Sequence, residues 1–313
     1  MGARHGIFSA RPTLCSRCVF GWFPWATPRT LEKDREAARD VAPLEDLDPP
    51  HGAITWVGEG AQTRGALPIF AEGLAGAVYS SRGRGYAPYN EDAGALFRDR
   101  RGWMYGAAFD QAGGLGGSVR GQASGLAARE AARAFRELAR STAPPSDAEI
   151  SKRLKSAIWS AHDQLVERGE GEVTTAVLAV VRSDRAVLVN SGDSGALCFS
   201  NGLVSQRTRM HESDDPGAAG LLTHAVGLIP EQPRPETYVW PLSPGDWLVL
   251  GSDGLLDFGG EPTEIAEWLG SHPDPADAVN DVAGRILRRM TFMRAKPDNL
   301  TVVGIRVADR EDG

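Results

Sequence analysis

Five acidic segments carry the residue types best able to do chemistry in this chain: Asn90-Glu91-Asp92, Asp110, Gly192-Asp193-Ser194-Gly195, Gly251-Ser252-Asp253-Gly254 and Pro297-Asp298-Asn299. Carboxylates placed at strand ends and flanked by glycine can project bare oxygens into one shared pocket. Hard divalent cations such as Mg²⁺ and Mn²⁺ take oxygen ligands and keep several waters, so a few Asp residues suffice to hold them. Any one of these segments is by itself an ordinary turn, because Asp and Gly end strands for purely local reasons. The repetition argues for more. Asp110 and Ser252-Asp253 come directly after apolar runs, and composition alone does not place them there.

Positioning such carboxylates needs strands that end side by side. Runs rich in Val, Leu or aromatics, bounded by Gly, Asp, Asn or Ser, predict strands at Gly94–Arg98, Trp103–Phe109, Thr174–Val181, Ala186–Asn190, Ala196–Ser200, Trp247–Gly251 and Leu300–Val307. Helical periodicity predicts Val119–Ala139, with Ala127, Ala131, Phe135 and Leu138 on one stripe. It also predicts Asp147–Arg168, with Ile150, Leu154, Ile158, Ala161 and Leu165 inward and Ser146 or Asp147 as cap. A third helix is expected at Ala276–Arg289. The helices fall in blocks between strands, which favours an α+β layered domain over a doubly wound parallel sheet.

The order of motifs resembles a known family. Asn90-Glu91-Asp92-Ala93, Ala108-Phe109-Asp110 with Gly113-Gly114, Thr174-Thr175-Ala176-Val177 and Gly192-Asp193-Ser194 occur in sequence. Ala225-Val226-Gly227, Pro244-Gly245-Asp246, Ser252-Asp253-Gly254-Leu255-Leu256-Asp257 and Asp298-Asn299-Leu300-Thr301-Val302-Val303 follow. Across residues 75 to 307 the chain is similar to the metal-dependent serine/threonine protein phosphatases, the PPM or type 2C family, in a compact, bacterial-like form. The resemblance implies a four-layer α-β-β-α sandwich of two antiparallel sheets flanked by helices. It implies two Mn²⁺ or Mg²⁺ ions with room for a third, and a phosphorylated protein, the target of a Ser/Thr kinase, as substrate. Asp110 would bridge the two metals and Gln111 would offer its backbone carbonyl. Glu91 would serve the second metal, Asp253 and Asp298 the first, and Asp193 the third, with Asp92 supporting the metal waters. Two such ions about 3.5–4 Å apart activate a water and offset phosphoryl charge, so no nucleophilic Cys or Ser is needed.

This chain departs from the family pattern at the phosphate clamp. The Arg expected three residues before Asn90 is Ala87, and Arg82 or Arg84 would have to reach in instead. Gln111 stands where a Gly usually follows the bridging Asp, and Ala112 where His or Met is common. Val173 stands where the family prefers Gly, and Gly195 where it prefers Arg. The segment between Thr208 and His224 is shorter than the family's helical flap. A pseudophosphatase that binds a phosphoprotein or partner without turnover is the rival on the same fold, and retention of every metal carboxylate speaks for turnover. Gly192-Asp193-Ser194-Gly195 and His162 loosely mimic serine-protease motifs, but His162 sits on an apolar-striped helix. The glycines at 113–117 are followed by no Lys and form no P-loop.

Composition bounds the remaining choices. The 313 residues carry a formal charge of −7, with 41 acidic against 34 basic side chains, which disfavours nucleic-acid binding through counterion release. No run approaches the length of a membrane span. Three cysteines make no disulfide framework, and Cys15/Cys18 lack the further ligands a structural zinc needs. Residues 1–65 read as an N-terminal extension, poorly ordered in part, and 66–313 as the phosphatase domain. A cytoplasmic monomer is expected.

Overall fold

The computed structural model describes residues 54–57, 62–83, 89–112, 121–218, 220–229, 232–257 and 259–309. Cys15, Cys18, Arg84, Ala87 and the glycines at 113–117 lie outside the described residues. One six-stranded sheet runs β1 (Ile54–Val57), β4 (Ala93–Arg98), β5 (Met104–Phe109), β8 (Ala176–Arg182), β9 (Arg185–Ser191), β12 (Glu236–Pro241). The other runs β11 (Leu203–Arg207), β10 (Gly195–Ser200), β13 (Trp247–Gly251), β14 (Leu300–Val307), β3 (Leu74–Ser81), β2 (Leu67–Ala71). Neighbours in both sheets pair antiparallel. A two-stranded ribbon joins β6 (Gln111–Ala112) to β7 (Val173–Thr174). The expected α+β class and α-β-β-α layering are what the chain adopts. Strand β1 lies upstream of residue 66, so the first sheet draws its edge from the segment read as an extension.

Both faces of the central strands are covered, which explains their unbroken apolar runs. In β5, Tyr105, Ala107 and Phe109 pack beneath helices α1 (Gln122–Arg140) and α2 (Asp147–Arg168), while Met104 and Ala108 face the second sheet. Strand β8 alternates likewise, with Ala176, Leu178 and Val180 toward the helices and Val177, Ala179 and Val181 between the sheets. On the far side, α4 (Pro262–Gly270) and α5 (Pro275–Thr291) cover β3, β13 and β14 through Ile265, Leu269, Val279, Val282 and Ile286. Burying a side chain of this size contributes about 1.5–3 kcal/mol, so the helix-on-sheet and inter-sheet layers together supply much of the stability.

Local chemistry fixes the helix ends. Ser146 caps α2 in a capping box: Glu149 N donates to its Oγ at 3.3 Å, and its own N donates to Glu149 Oε2 at 2.7 Å. Gly169 ends α2 at φ 68, in the left-handed region where glycine carries no Cβ penalty. The buried Asp99 organises the turn before β5, accepting from the backbone N of Arg101 and Trp103 and from the Tyr105 hydroxyl. Arg101 pairs with that carboxylate and also donates to Leu138 O, which ties the end of α1 to the sheet.

Sequence patterning missed β1, β2, β3, β6, β11, β12, α4 and the single helical turn Asp253–Leu256. For β3 the reason is close packing: a Cβ on Gly76 would come within 2.9 Å of Gly304 O, so small residues replace the branched ones that signal a strand. The strand expected over Thr174–Val181 divides at Thr175. Thr174 exchanges backbone hydrogen bonds with Val226, whereas Thr175 N donates to Asp110 O.

Candidate metal centre

One end of the sandwich opens into a cavity of about 450 Å³ walled by Glu91, Asp110, Gln111, Asp193, Asp253 and Asp298, together with Thr175, Lys296 and Asn299. The structure therefore brings together all six residues expected to ligate metal. Asp92 lies behind them, fully buried, with Oδ2 accepting from Ser252 Oγ at 2.8 Å. Arg82 is exposed and outside the set that walls the cavity; its carbonyl accepts from Asn299 Nδ2 at 3.0 Å.

Each carboxylate is held by the backbone of a strand end. The Asp110 backbone is satisfied from the β7–β8 junction: its N donates to Thr175 Oγ1 at 3.0 Å, and its O accepts from Thr175 N at 2.8 Å and Thr174 Oγ1 at 2.9 Å. Glu91 N donates to Asn299 Oδ1 at 2.9 Å, and Ser124 Oγ in α1 donates to Glu91 O at 2.6 Å. The side chain of Gln111 turns to the start of α1, where Oε1 accepts from Ala123 N at 2.9 Å. A side chain at this position thus caps a helix instead of crowding the cavity. Asp253 opens the short helix α3 (Asp253–Leu256), and Asp298 Oδ1 accepts from the N of Asn299. Thr175, Ser252 and Asn299 stand within the sequence motifs without a role assigned to them there, and Lys296 stands in none, because supports of this kind carry no spacing signal of their own.

The electrostatics are those of a carboxylate cluster short of positive charge. Burial, then the charge of Asp298, pushes Glu91 up to about 7. Asp193 is pushed up to about 7 by burial and Asp253, and Asp253 to about 6 by burial and Asp298. Asp110 and Asp92 are raised well above the usual carboxylate range, Asp110 by burial and then by Asp253, Asp92, Asp193 and Asp298. Asp92 Oδ1, Asp193 Oδ1 and Asp253 Oδ1 are buried with no hydrogen-bond partner, an arrangement that costs free energy unless something positive occupies it.

These features fit divalent metal. The donors are all oxygen, which selects hard cations, and the orphaned carboxylate oxygens supply bare ligands. No three His, Cys, Asp or Glu side chains among the described residues close into a ready-made cage.

Gly220, Leu221, Leu222 and Leu228 add an apolar part to the cavity lining. The segment from Thr208 to His224 turns back on itself there, with Glu212 bridging Leu222 and Thr223 N donating to His211 O. His211 anchors it, its Nδ1 accepting from Gly192 N at 3.1 Å beside Asp193. His162, the one histidine with a protease-like context, is buried in α2 and accepts from Gly227 N at 3.0 Å, a structural role. No helix among the described residues is long and apolar enough to cross a membrane.

Comparison with known proteins agrees with this geometry. Residues 118–308 match the family model described as Stage II sporulation protein E (SpoIIE). The chain is 28% identical over 205 residues to the serine/threonine phosphatase Stp of Listeria monocytogenes, covering 58% of this chain and 78% of that protein. It is 25% identical to PppA, a regulatory component of T6SS in Pseudomonas aeruginosa, with a TM-score of 0.59 over 75% of this chain and 98% of that one. The catalytic domain of the phosphatase PstP, solved with two manganese ions, is also 25% identical, with a TM-score of 0.58 over 75% of this chain and 99% of that one. By its SpoIIE-type domain and its two-sheet fold, the chain belongs to the PPM family of phosphatases.

Proposed function

We propose that this protein hydrolyses phosphoserine and phosphothreonine in other proteins, using Mn²⁺ or Mg²⁺ held by the carboxylates of the cavity. The observation that carries the reading is the convergence of Glu91, Asp110, Asp193, Asp253 and Asp298 on one cavity with several buried oxygens left unpartnered. Asp110 would serve both ions and Gln111 would offer its backbone carbonyl, with Glu91 serving one ion and Asp253 with Asp298 the other. Asp193 would serve a third. When bound, the ions supply Lewis acidity, offsetting charge on the phosphoryl oxygens and making the attacking water more acidic.

The chain's own part is positioning. Thr174 and Thr175 fix the Asp110 backbone from two sides. Ser252 holds Asp92 Oδ2, which leaves Oδ1 as a fixed acceptor for a water behind the ligands. Water attacks phosphorus in line, the P–O bond to the side chain breaks, and the Ser or Thr hydroxyl leaves with a proton drawn from water. Burial pushes the Cys198 thiol up and strand β10 encloses it, so it supplies no nucleophile.

The test is phosphate release from a phosphothreonine peptide and from an aryl phosphate, each with Mn²⁺ and with chelator. Mn²⁺-dependent release that chelator abolishes is expected. Bound Mn²⁺ without release from either substrate overturns the proposal in favour of a silent binding module.

A further inference from the structure

Asp193 is carried by the short turn Gly192-Asp193-Ser194 between β9 and β10, and Gly192 stands there at φ 109. A glycine in that region imposes little shape of its own, so the bonds to its peptide groups decide how Asp193 is presented. Both polar groups of Gly192 go to one residue. Its N donates to His211 Nδ1 at 3.1 Å, and its O accepts from His211 N at 3.0 Å. The other end of the turn is held separately, by a hydrogen bond of 2.6 Å between Ser194 Oγ and Thr175 Oγ1.

The surroundings of His211 suit that task. Its side chain is 2% exposed, and burial lowers its pKa, which favours the neutral ring. With Nδ1 accepting from Gly192, the ring proton sits on Nε2, which faces Glu236 Oε1 on β12 at 3.5 Å. The ring of His224 packs edge-on against it with centroids 5.5 Å apart, and Thr223 N donates to His211 O at 2.8 Å. The imidazole is thus confined by Gly192, Glu236 and His224, and the glycine turn leans on a fixed acceptor.

We propose that His211 is a positioning residue for Asp193: its Nδ1, acting through the Gly192 amide, fixes how that carboxylate is presented to metal. The inference rests on the metal-dependent phosphatase reading given above. It assigns the role to one atom of the ring, so side chains that mimic one nitrogen or the other test it. Asn offers its Oδ1 acceptor near the place of Nδ1, whereas Gln carries its polar end near the place of Nε2.

The experiment titrates Mn²⁺ by calorimetry into the metal-free full chain and into His211→Asn, His211→Gln, Glu236→Gln, Asp193→Asn and the double variant His211→Gln with Asp193→Asn. Melting curves show first that each is folded, and His211→Leu, which fills the space without an acceptor, replaces the Gln variant if that one is not. Asp193→Asn identifies the ion that Asp193 serves. His211→Gln should weaken that same ion about ten- to a hundredfold, the loss typical of a group that orients a metal ligand. His211→Asn should stay within about threefold of the parent, because the Gly192 amide keeps its acceptor. Glu236→Gln should also stay within about threefold, since the effect runs through Nδ1 and not Nε2. With Asp193 already replaced, His211→Gln should add almost nothing.

Parent-like Mn²⁺ binding in His211→Gln overturns the proposal. Equal weakening in the Asn and Gln variants overturns it too, since His211 would then serve only by filling space. Fully additive losses in the double variant would show that His211 acts elsewhere. Parent-like binding in Asp193→Asn would overturn the assignment of Asp193 and the role of His211 together. A parent that binds Mn²⁺ but releases no phosphate from peptides would sink the phosphatase reading alone, and the calorimetry would still decide the role of His211.

Discussion

Ser252 Oγ donates to Asp92 Oδ2 at 2.8 Å and accepts from Thr301 N at 3.2 Å, so one hydroxyl joins the Asn90-Glu91-Asp92 turn, the end of β13 and the start of β14. Asp92 is fully buried and its other oxygen has no partner, which makes this bond a main support of its charged form. Ser252→Ala should lower unfolding free energy by about 1–3 kcal/mol at pH 7, the cost of leaving a buried acceptor unsatisfied. Urea denaturation of the metal-free protein measures it. A change within error would mean that Asp92 is neutral or finds another donor.

Removing charge from the cluster should have opposite effects on stability and activity. Asp253→Asn deletes one of several mutually repelling carboxylates, so the chelator-treated variant should melt higher than the parent at neutral pH. The same variant should lose at least about a hundredfold in Mn²⁺-dependent phosphate release, as electrostatic groups at a reacting centre typically do. Lower thermal stability combined with full activity would contradict the assignment of Asp253 to metal.

Raised carboxyl pKa values fix the sign of the pH dependence. Glu91 and Asp193 near 7 and Asp253 near 6 lie above the ordinary unfolded values of about 4, so the folded metal-free chain holds more protons between about pH 4 and 7. This contribution to stability is fully present below about pH 4 and is lost as pH rises through the folded values, with no further loss well above 7. Mn²⁺ binding must expel the same protons, so its affinity should rise from pH 5.5 to 7.5 and then level off. Calorimetry in buffers of different ionisation enthalpy should find proton release at pH 6 and almost none at pH 8. Proton uptake on binding would contradict the account.

Gly254 sets the approach of the two metal-bearing turns. A Cβ there would fall 2.0 Å from Asn299 O, so the Asp253 and Asp298 segments could no longer lie as close. Gly254→Ala should cost about 1–3 kcal/mol through overpacking and weaken Mn²⁺ binding at least about tenfold. Gly270 in α4 has open space around it, and Gly270→Ala should stabilise by about 0.5–1 kcal/mol or change little. Equal Mn²⁺ affinity in both variants would show that the turn spacing does not govern the site.

Much of this arrangement was legible before any coordinates. The apolar runs ending at Phe109 and Gly251 are strands because both of their faces are covered, and the Asp that follows each is the signal that betrayed the cavity. Helix α2 was readable over Asp147–Arg168 with its cap open between Ser146 and Asp147; Ser146 takes the cap, and Gly169 in the left-handed region ends the helix. What stayed hidden depends on packing partners distant in sequence. Strand β3 is masked by Ala75, Gly76 and Ala77, chosen for close approach to β14 and α5. Gln111 looked like an intruder until the start of α1 gave its side chain a use. Lys296 carries no motif, and its place beside Asp298 follows only from the fold.

Whether this cavity holds two hard divalent ions is decided by Mn²⁺ calorimetry on the full chain at pH 7.5, with Asp110→Asn beside it. Two ions per parent chain are expected, with at least about a hundredfold weaker binding of one or both in the variant. A parent chain that binds no Mn²⁺, or a variant that binds it equally well, would contradict this.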